Sequence, residues 1–266
     1  MLIDFHIHAF KDEIAERAIN TLINMADIPA YTNGTISNTH RFLEEQGVDY
    51  CVLLPIATKP SQQSTINTWV AEQACDRIIP FGTVHPDAPD LVNELHRILS
   101  LGLKGVKLHP DYQDVFLFEE KMNPIYKYCE ALALPIIIHM GYDPVSPKIR
   151  HAMPYHLVAI NESFPKLKII GAHLGGMHAW EEVLFYLCGR KNIWFDTSYL
   201  AGEGIDPKLM TAIIKKHGAG KILFGSDCPW HTPQIEKDLI ESLPLSTAEK
   251  ERIYWQNAVE LLGISG

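Results

Sequence analysis

Residues 135–139 read Pro-Ile-Ile-Ile-His, an apolar run of strand length that ends in a histidine. The run does not alternate between apolar and polar residues, which is typical of a parallel strand buried on both faces. Seven further stretches have a similar form and predict strands near residues 2–6, 50–54, 79–84, 105–108, 168–173, 192–196 and 221–225. The chain therefore carries eight predicted strands, most of them of the buried parallel type.

Helical patterns lie between these strands. They predict helices over residues 39–46, 89–101, 119–133, 155–164, 178–188 and 246–262. The last of these opens with Ser246-Thr-Ala-Glu249, a capping-box pattern. A strand followed by a helix, eight times in 266 residues, favours an α/β fold of the (β/α)8 TIM-barrel type, with residues 1–266 as one domain. An open doubly wound sheet is disfavoured because no glycine-rich phosphate fingerprint follows the first strand.

The first two predicted strands are much farther apart than any other neighbouring pair. Their starts, at residues 2 and 50, leave more chain than one helix and two short loops require. The excess includes residues 28–34, Ile-Pro-Ala-Tyr-Thr-Asn-Gly, which form a turn-rich segment. We expect this segment to be a loop that covers the mouth of the barrel.

Composition and charge exclude several classes of function. The chain has 23 lysines and arginines against 32 aspartates and glutamates, a formal net charge of −9, and shows none of the clustered positive charge that nucleic-acid binding requires. The N-terminus lacks a basic segment and no apolar run is long enough to span a membrane, so we expect neither a signal peptide nor a membrane partner. Five scattered cysteines without a Cys-x-x-Cys pair favour a reduced, cytoplasmic protein.

Polar residues cluster where the predicted strands end. In a TIM barrel the carboxyl ends of all strands meet at one face, which holds the active site. The residues found there are His6 and His8, Lys107 and His109, His139, His173 and Asp227. A single histidine of this kind is more often a hydrogen-bonded core residue than a ligand, but a buried cluster of imidazoles without a metal or acidic partner would be costly.

Strand geometry supports a shared site. Side chains two residues apart point to the same face of a strand, so His6 and His8 are expected to point together into the barrel. Lys107 and His109 share a face by the same rule. Two imidazoles at this spacing can hold one ion, with each nitrogen at about 2.0–2.1 Å.

These motifs resemble the amidohydrolase superfamily, and within it the amidohydrolase-related group of compact metal-dependent hydrolases and decarboxylases. The matching stretches are residues 4–8 (Asp-Phe-His-Ile-His), 105–110 (Gly-Val-Lys-Leu-His-Pro), 135–139, 171–176 (Gly-Ala-His-Leu-Gly-Gly), 224–227 (Phe-Gly-Ser-Asp) and 257–258 (Asn-Ala). They cover almost the whole chain in order. A histidine pair alone is a weak signal, whereas the full ordered set is a strong one.

The resemblance implies a role for each residue. His6 and His8 match residues that bind a first metal ion in this family. Asp227 matches a residue that is both a ligand and the general base, and the resemblance implies the same roles here. His139 is similar to a ligand of that ion or of a second one. His173 binds a second metal in binuclear relatives and contacts substrate or water in mononuclear ones.

Lys107 bears on the number of ions. Residues 107–110, Lys-Leu-His-Pro, are similar to the Lys-Leu-Tyr-Pro stretch of dihydroorotases, where the lysine is carboxylated and bridges two ions. In other members of the group the corresponding lysine is not a ligand. The sequence thus predicts a divalent metal, with one or two ions per chain. Zn²⁺ is the first choice, but the metal identity stays open because these ligands also suit manganese and iron.

The resemblance and the ligand set together predict a hydrolase. We expect a metal-activated water, with Asp227 as general base and His173 as a second catalytic residue, to cleave an ester, lactone or amide of a small molecule. His109, Trp230 and His231 are predicted to contact the substrate. A nonoxidative decarboxylase of an aromatic or unsaturated acid is the first alternative, ranked lower because no arginine lies at a predicted strand end. A noncatalytic metal-binding barrel is the second, and a homodimer is possible for either.

Overall fold

A computed structural model describes residues 1–146 and 148–264, and residues 147, 265 and 266 lie outside the described residues. The strand segments are β1 Ile3–Ile7, β2 Tyr50–Leu53, β3 Ile78–Pro80, β4 Gly82–Thr83, β5 Val106–Leu108, β6 Ile136–Ile138, β7 Ile169–Gly171, β8 Ile193–Asp196 and β9 Ile222–Leu223. Every paired segment runs parallel to its neighbour. The sheets have the orders β1-β2-β3 and β4-β5-β6-β7-β8-β9.

Backbone hydrogen bonds join the two sheets into one barrel. Segments β3 and β4 belong to the same barrel strand, interrupted at Phe81, whose N–H donates to the carbonyl of Leu53 at 3.0 Å. On the other side, the N–H of Phe5 donates to the carbonyl of Phe224 at 2.8 Å, so β1 lies beside the chain that follows β9. The predicted α/β barrel of parallel strands is therefore confirmed.

Helices follow the strands around the barrel. They are α1 Asp12–Ala26, α2 Ile36–Glu45, α3 Gln63–Glu72, α4 Leu91–Ser100, α5 Pro110–Gln113, α6 Asn123–Ala131, α7 His156–Ser163, α8 Trp180–Glu182, α9 Pro207–His217, α10 Pro233–Ser242, α11 Thr247–Glu251 and α12 Asn257–Leu262. Short 3-10 segments cover Pro60–Gln62, Glu120–Met122 and Ala219–Lys221, and π-helical turns cover Val183–Leu187 and Arg252–Gln256. Within the described residues, no helix has both the length and the apolar character needed to cross a membrane.

The long first interval contains a helix that the sequence pattern did not predict, ahead of the predicted loop. Helix α1 occupies Asp12–Ala26, whereas residues 28–34 are non-helical, in agreement with the predicted loop. Helix α1 buries only Ala15 and Ile19. Apolar residues at positions 14, 15, 18, 19 and 22 nevertheless follow helical spacing, a pattern that favours this helix.

A register shift in β1 turns its last side chains toward the site. Ile3 and Phe5 pack in a core with residues of β2, β6, β7 and β9, which can meet only inside the barrel, whereas Ile7 packs in the outer core. The pairing of β1 with β2 shifts between Asp4 and Ile7. An extra residue at such a bulge redirects the side chains that follow it, and His6 consequently faces the barrel interior.

Candidate active site

A single cavity at the carboxyl ends of the strands collects most of the predicted site residues. Its volume is about 440 Å³, which lies within the usual range for small-molecule sites. The predicted residues that line it are His6, His109, His139, His173, Asp227 and Trp230. Apolar and aromatic side chains complete the wall, among them Leu22, Ile28, Tyr142, Val145 and Met177. The cavity therefore combines a polar cluster with a mostly apolar enclosure.

Three predicted ligands converge at this cavity. The Nε2 atoms of His6 and His8 lie 3.2 Å apart, and each lies 3.2 Å from Oδ1 of Asp227. Ligand atoms held at about 2.1 Å from one ion, with angles between tetrahedral and octahedral values, are separated by roughly 3.0–3.4 Å. The observed triangle has this size without further movement.

Hydrogen bonds fix the orientation of both imidazoles. Nδ1 of His6 donates to Oδ2 of Asp196 at 2.7 Å, and Nδ1 of His8 donates to the carbonyl oxygen of Leu54 at 2.7 Å. In its neutral form each ring therefore carries its hydrogen on Nδ1 and presents a lone pair at Nε2. The 3.2 Å contact between these nitrogens is then not a hydrogen bond, and two lone pairs facing a carboxylate oxygen fit a cation between them.

The charge states of His6 and Asp227 also suit the binding of a cation. Burial, assisted by the nearby Lys107, lowers the pKa of His6 to about 4, so the ring is neutral at pH 7, as a metal ligand must be. Burial acts to raise the pKa of Asp227, but His6 and His8 outweigh it and hold that pKa below its usual range. Asp227 is therefore ionised at neutral pH.

Asp196, at the end of β8, supports this cluster and was not singled out in the sequence. It is fully buried, and besides His6 it accepts hydrogen bonds on Oδ1 from the hydroxyl of Ser198 at 2.6 Å and the N–H of His173 at 2.9 Å. The available signal was its place at the end of a predicted strand. A carboxylate that orients a ligating histidine in this way also makes its imidazole more basic.

Replacing Asp196 with asparagine should weaken metal binding by roughly 10- to 100-fold, because the amide removes the negative charge behind His6 while keeping the shape of the side chain. Competition with a chelator of known affinity would measure the change. Asp76→Asn, at an exposed position, serves as the control. Unchanged metal affinity in Asp196→Asn would show that the contact between Asp196 and His6 has only a structural role.

Lys107 lies next to the three converging ligands. Its Nζ is 3.2 Å from Nε2 of His6, and the side chain is almost fully buried. Burial lowers the pKa of Lys107 to about 8, although Asp227, Asp196 and Asp143 act in the opposite direction. The amine is therefore charged in the metal-free protein at pH 7, at a place where a bound cation would repel it.

The apparent metal affinity should consequently rise with pH up to about 8, since the ion binds better once Lys107 has lost its proton. Lys107→Met should release close to one proton fewer when it binds the metal, so its affinity should depend less on pH. Titration calorimetry at pH 6, 7 and 8, in buffers of different ionisation enthalpy, counts the protons released. Equal proton counts in both proteins would show that Lys107 does not titrate with binding.

His139 and His173 form a second pair in the cavity. Nδ1 of His173 donates to the carbonyl of Ser198 at 3.0 Å, and its Nε2 lies 3.0 Å from Nδ1 of His139. His139 is not part of the group of three converging ligands, and its buried Nε2 has no hydrogen-bond partner among the described residues. One proton is shared at the contact between the two rings.

His109, His139 and Asp143 form another group of possible ligands, within 4.8 Å of one another. The His109 and His139 rings are stacked, with centroids 4.1 Å apart and planes 12° from parallel. Ring nitrogens bind metals in the plane of the ring, so stacked rings cannot both direct lone pairs at one ion. Asp143 was missed because the Gly-Tyr-Asp-Pro stretch after β6 has the composition of a turn.

The two remaining predicted contacts differ in position. Trp230 lines the cavity, whereas His231 is not among the described residues that do. Nδ1 of His231 lies 2.5 Å from Oε1 of Glu236, a buried carboxylate that also accepts the N–H of Leu200 at 2.9 Å. His231 thus supports a buried carboxylate behind the cavity wall.

Two of the site residues have left-handed backbone conformations. The φ angle is 67° at Asp227 and 57° at His173. Such values are uncommon outside glycine, although aspartate, asparagine and histidine adopt them more often than other residues. They place these side chains at the cavity beyond the regular ends of the strands.

Comparison with known proteins identifies the class to which this site belongs. The model of the amidohydrolase family matches residues 3–264, and the chain is a member of that family. A 2-amino-3-carboxymuconate-6-semialdehyde decarboxylase from Caenorhabditis elegans is 23% identical over 279 residues, which cover 80% of this chain and 67% of that protein. A gamma-resorcylate decarboxylase from a Polaromonas strain is 23% identical over 288 residues, which cover 85% of this chain and 86% of that protein.

A solved structure is similar as well. A dihydroxybenzoic acid decarboxylase from Polaromonas, with bound manganese and the inhibitor 2-nitroresorcinol, shares the fold with a TM-score of 0.73 at 17% identity, over 98% of this chain and 96% of that one. These findings overturn the predicted hydrolysis of an ester, lactone or amide, because the named relatives are decarboxylases. The solved relative holds manganese, whereas the sequence favoured zinc.

Proposed function

We propose that this protein is a metal-dependent, nonoxidative decarboxylase of a small aromatic or unsaturated carboxylic acid, with residues 1–266 acting as one domain. The observation that carries the proposal is the convergence of His6, His8 and Asp227 at 3.2 Å, with no hydrogen between their facing atoms. The similarity to decarboxylases over most of the chain supports the choice of reaction.

His6, His8 and Asp227 would hold one divalent ion. Two imidazoles and one carboxylate suit zinc and manganese alike, and three protein ligands leave positions open for substrate. When bound, the ion would supply Lewis-acid polarisation of the substrate's oxygen atoms. Elemental analysis of the purified protein, followed by reconstitution with each metal, identifies the ion in use, and about one ion per chain is expected.

The side chains of the cavity would carry the rest of the reaction. When the bond to the carboxyl group breaks, its electron pair stays on the substrate carbon, which then needs a proton. Asp227 is ionised, so it is poorly suited to donate one at neutral pH. A proton taken up from solvent by the pair of His173 and His139 could be passed to this carbon, since both rings line the cavity and their facing nitrogens, Nε2 and Nδ1, lie 3.0 Å apart. The apolar wall of Leu22, Ile28 and Met177 favours the change from a charged carboxylate to neutral carbon dioxide.

The test is release of carbon dioxide from a panel of hydroxybenzoates, aminobenzoates and unsaturated dicarboxylic acids by the protein reconstituted with manganese or zinc. Carboxyl groups labelled with ¹³C report the product directly by NMR. In D₂O, deuterium should appear at the carbon that lost the carboxyl group. The metal-free protein is the control. Absence of carbon dioxide from every acid, with a full complement of bound metal, would contradict the proposal for this substrate class.

A further inference from the structure

The loop after β8 brings an aromatic side chain, Tyr199, to the cavity in an unfavourable backbone conformation. Tyr199 lines the cavity, and its φ angle is 57°. A bulky aromatic residue rarely adopts this left-handed conformation, because its Cβ then lies too close to the following carbonyl oxygen. Such a conformation persists only where the surrounding contacts hold the chain in place.

Glu236, on helix α10, supplies contacts of this kind. Its Oε1 accepts the N–H of Leu200 at 2.9 Å. The N–H of Ala201 is shared between the two carboxylate oxygens, at 3.2 Å from Oε1 and 3.3 Å from Oε2. These are the two N–H groups that directly follow Tyr199 in the chain. Since Glu236 is fully buried, water does not compete for them, and the backbone beyond Tyr199 is fixed.

Glu236 also acts on the ring of Tyr199, through His231. Nδ1 of His231 lies 2.5 Å from Oε1 of Glu236. The His231 ring packs beside that of Tyr199, with centroids 5.2 Å apart and planes inclined by 51°. Trp230, which precedes His231, lines the cavity as Tyr199 does. One buried carboxylate therefore joins the loop after β8 to the chain that leads into α10.

The sequence at the start of α10 explains the position of Glu236. Pro233 begins the helix, and the hydroxyl of Thr232 caps it by accepting the N–H of Ile235 at 3.2 Å. The helix dipole favours a carboxylate in this first turn. Burial nevertheless raises the pKa of Glu236 to about 7, although its hydrogen-bond donors act to lower it. An ionised group is thus kept at an unfavourable buried position, where it contacts the loop of Tyr199.

We propose that Glu236 is a positioning residue that holds Tyr199 in the cavity wall as a substrate contact. A phenol side chain there offers a flat apolar surface with a polar tip to a bound molecule. Glu236 is not among the described residues that line the cavity, so it would act through Tyr199. The nature of the substrate rests on the proposed function, whereas the placement of Tyr199 by Glu236 does not.

Hydrogen exchange at the amides of Leu200 and Ala201 tests the placement without any ligand. The metal-reconstituted protein is measured at pH 8, where Glu236 is mostly ionised. Exchange should be roughly tenfold faster or more in Glu236→Ala, since a hydrogen bond to a charged acceptor has about this effect. Glu236→Gln keeps a neutral acceptor and should show a smaller increase. Glu94→Gln, which neutralises a buried carboxylate on helix α4, should leave both amides unchanged.

Binding of 4-nitroaniline tests the contact made by Tyr199. Its nitro group has the planar shape of a carboxylate and cannot leave as carbon dioxide, and its absorbance reports binding. Tyr199→Ala should weaken binding roughly three- to tenfold, the usual effect of one aromatic contact. Glu236→Gln should weaken it roughly threefold in the unaltered protein and add no loss to Tyr199→Ala, because it acts through that side chain. Glu94→Gln should bind as the unaltered protein does.

Three results would overturn the inference. One is unchanged amide exchange in Glu236→Gln and in Glu236→Ala; if the alanine variant does not fold, the result for Glu236→Gln decides. Another is an equal loss of binding from Glu236→Gln with and without the Tyr199 ring, which would leave Glu236 a general structural role. The third is equal binding by Tyr199→Ala and the unaltered protein, or no binding by either. If exchange and binding change as expected but no acid releases carbon dioxide, the reaction is wrong and the role of Glu236 stands.

Discussion

Asp227→Asn should lower the rate of carbon dioxide release by at least about a thousandfold and remove most of the bound metal. The substitution replaces an ionised oxygen, 3.2 Å from both His6 and His8, with an uncharged amide. Two imidazoles without their anionic partner hold a divalent ion far less tightly. The loss should appear in the metal content as well as in the rate.

The fold should survive this change. Asparagine adopts the left-handed backbone required at φ 67° as readily as aspartate does. Circular dichroism and thermal unfolding check this point, with the exposed Asp76→Asn as the matched control. A variant that keeps both its metal and its rate would show that Asp227 is not a ligand.

His173→Asn should produce a different pattern of loss. We expect turnover to fall by roughly 10²- to 10³-fold, the usual effect of removing a group that takes part in acid–base catalysis, while about one ion per chain remains bound. The reason is that Nε2 of His173 faces His139 and the cavity, outside the triangle formed by the three proposed ligands. Elemental analysis and single-turnover rates on the same preparation measure the two quantities.

The control for this variant is His96→Asn, which removes an exposed imidazole from helix α4. If His173→Asn loses its metal in step with its activity, His173 is a ligand, as in the binuclear relatives that the sequence resembles. If it keeps full activity, the proton comes from elsewhere in the cavity.

The sequence was sufficient to predict the barrel and to gather its strand-end residues. The signal for His6, His8 and Asp227 was strong because three polar residues end strands that are otherwise apolar, and strand ends of a parallel barrel meet at one face. Asp196 also ends a predicted strand, but a single carboxylate there is commonly a turn or capping residue. Its partner, Nδ1 of His6, lies 190 positions away in the chain, a contact that local pattern cannot reveal.

Asp143 and the reaction type were beyond the reach of the sequence for different reasons. Asp143 lies in the loop after β6, and its contact with the hydroxyl of Tyr112 joins residues 31 positions apart in the chain. The prediction of hydrolysis is wrong because it depends on the lack of an arginine at any strand end, which does not exclude binding of a carboxylate. An ion held by His6, His8 and Asp227 can bind carboxylate oxygens itself, so this argument had little force.

The left-handed backbone conformation at Asp227 limits which amino acids the chain tolerates at this position. Glycine, asparagine and aspartate meet the backbone requirement at low cost, whereas most other residues would add about 1–3 kcal/mol of strain. Of these three, only aspartate brings the negative charge that the two neighbouring imidazoles require. The amino acid at position 227 is therefore constrained both by its charge and by its backbone conformation. In a chain without the activity, the backbone conformation alone would still limit this position to a few residue types.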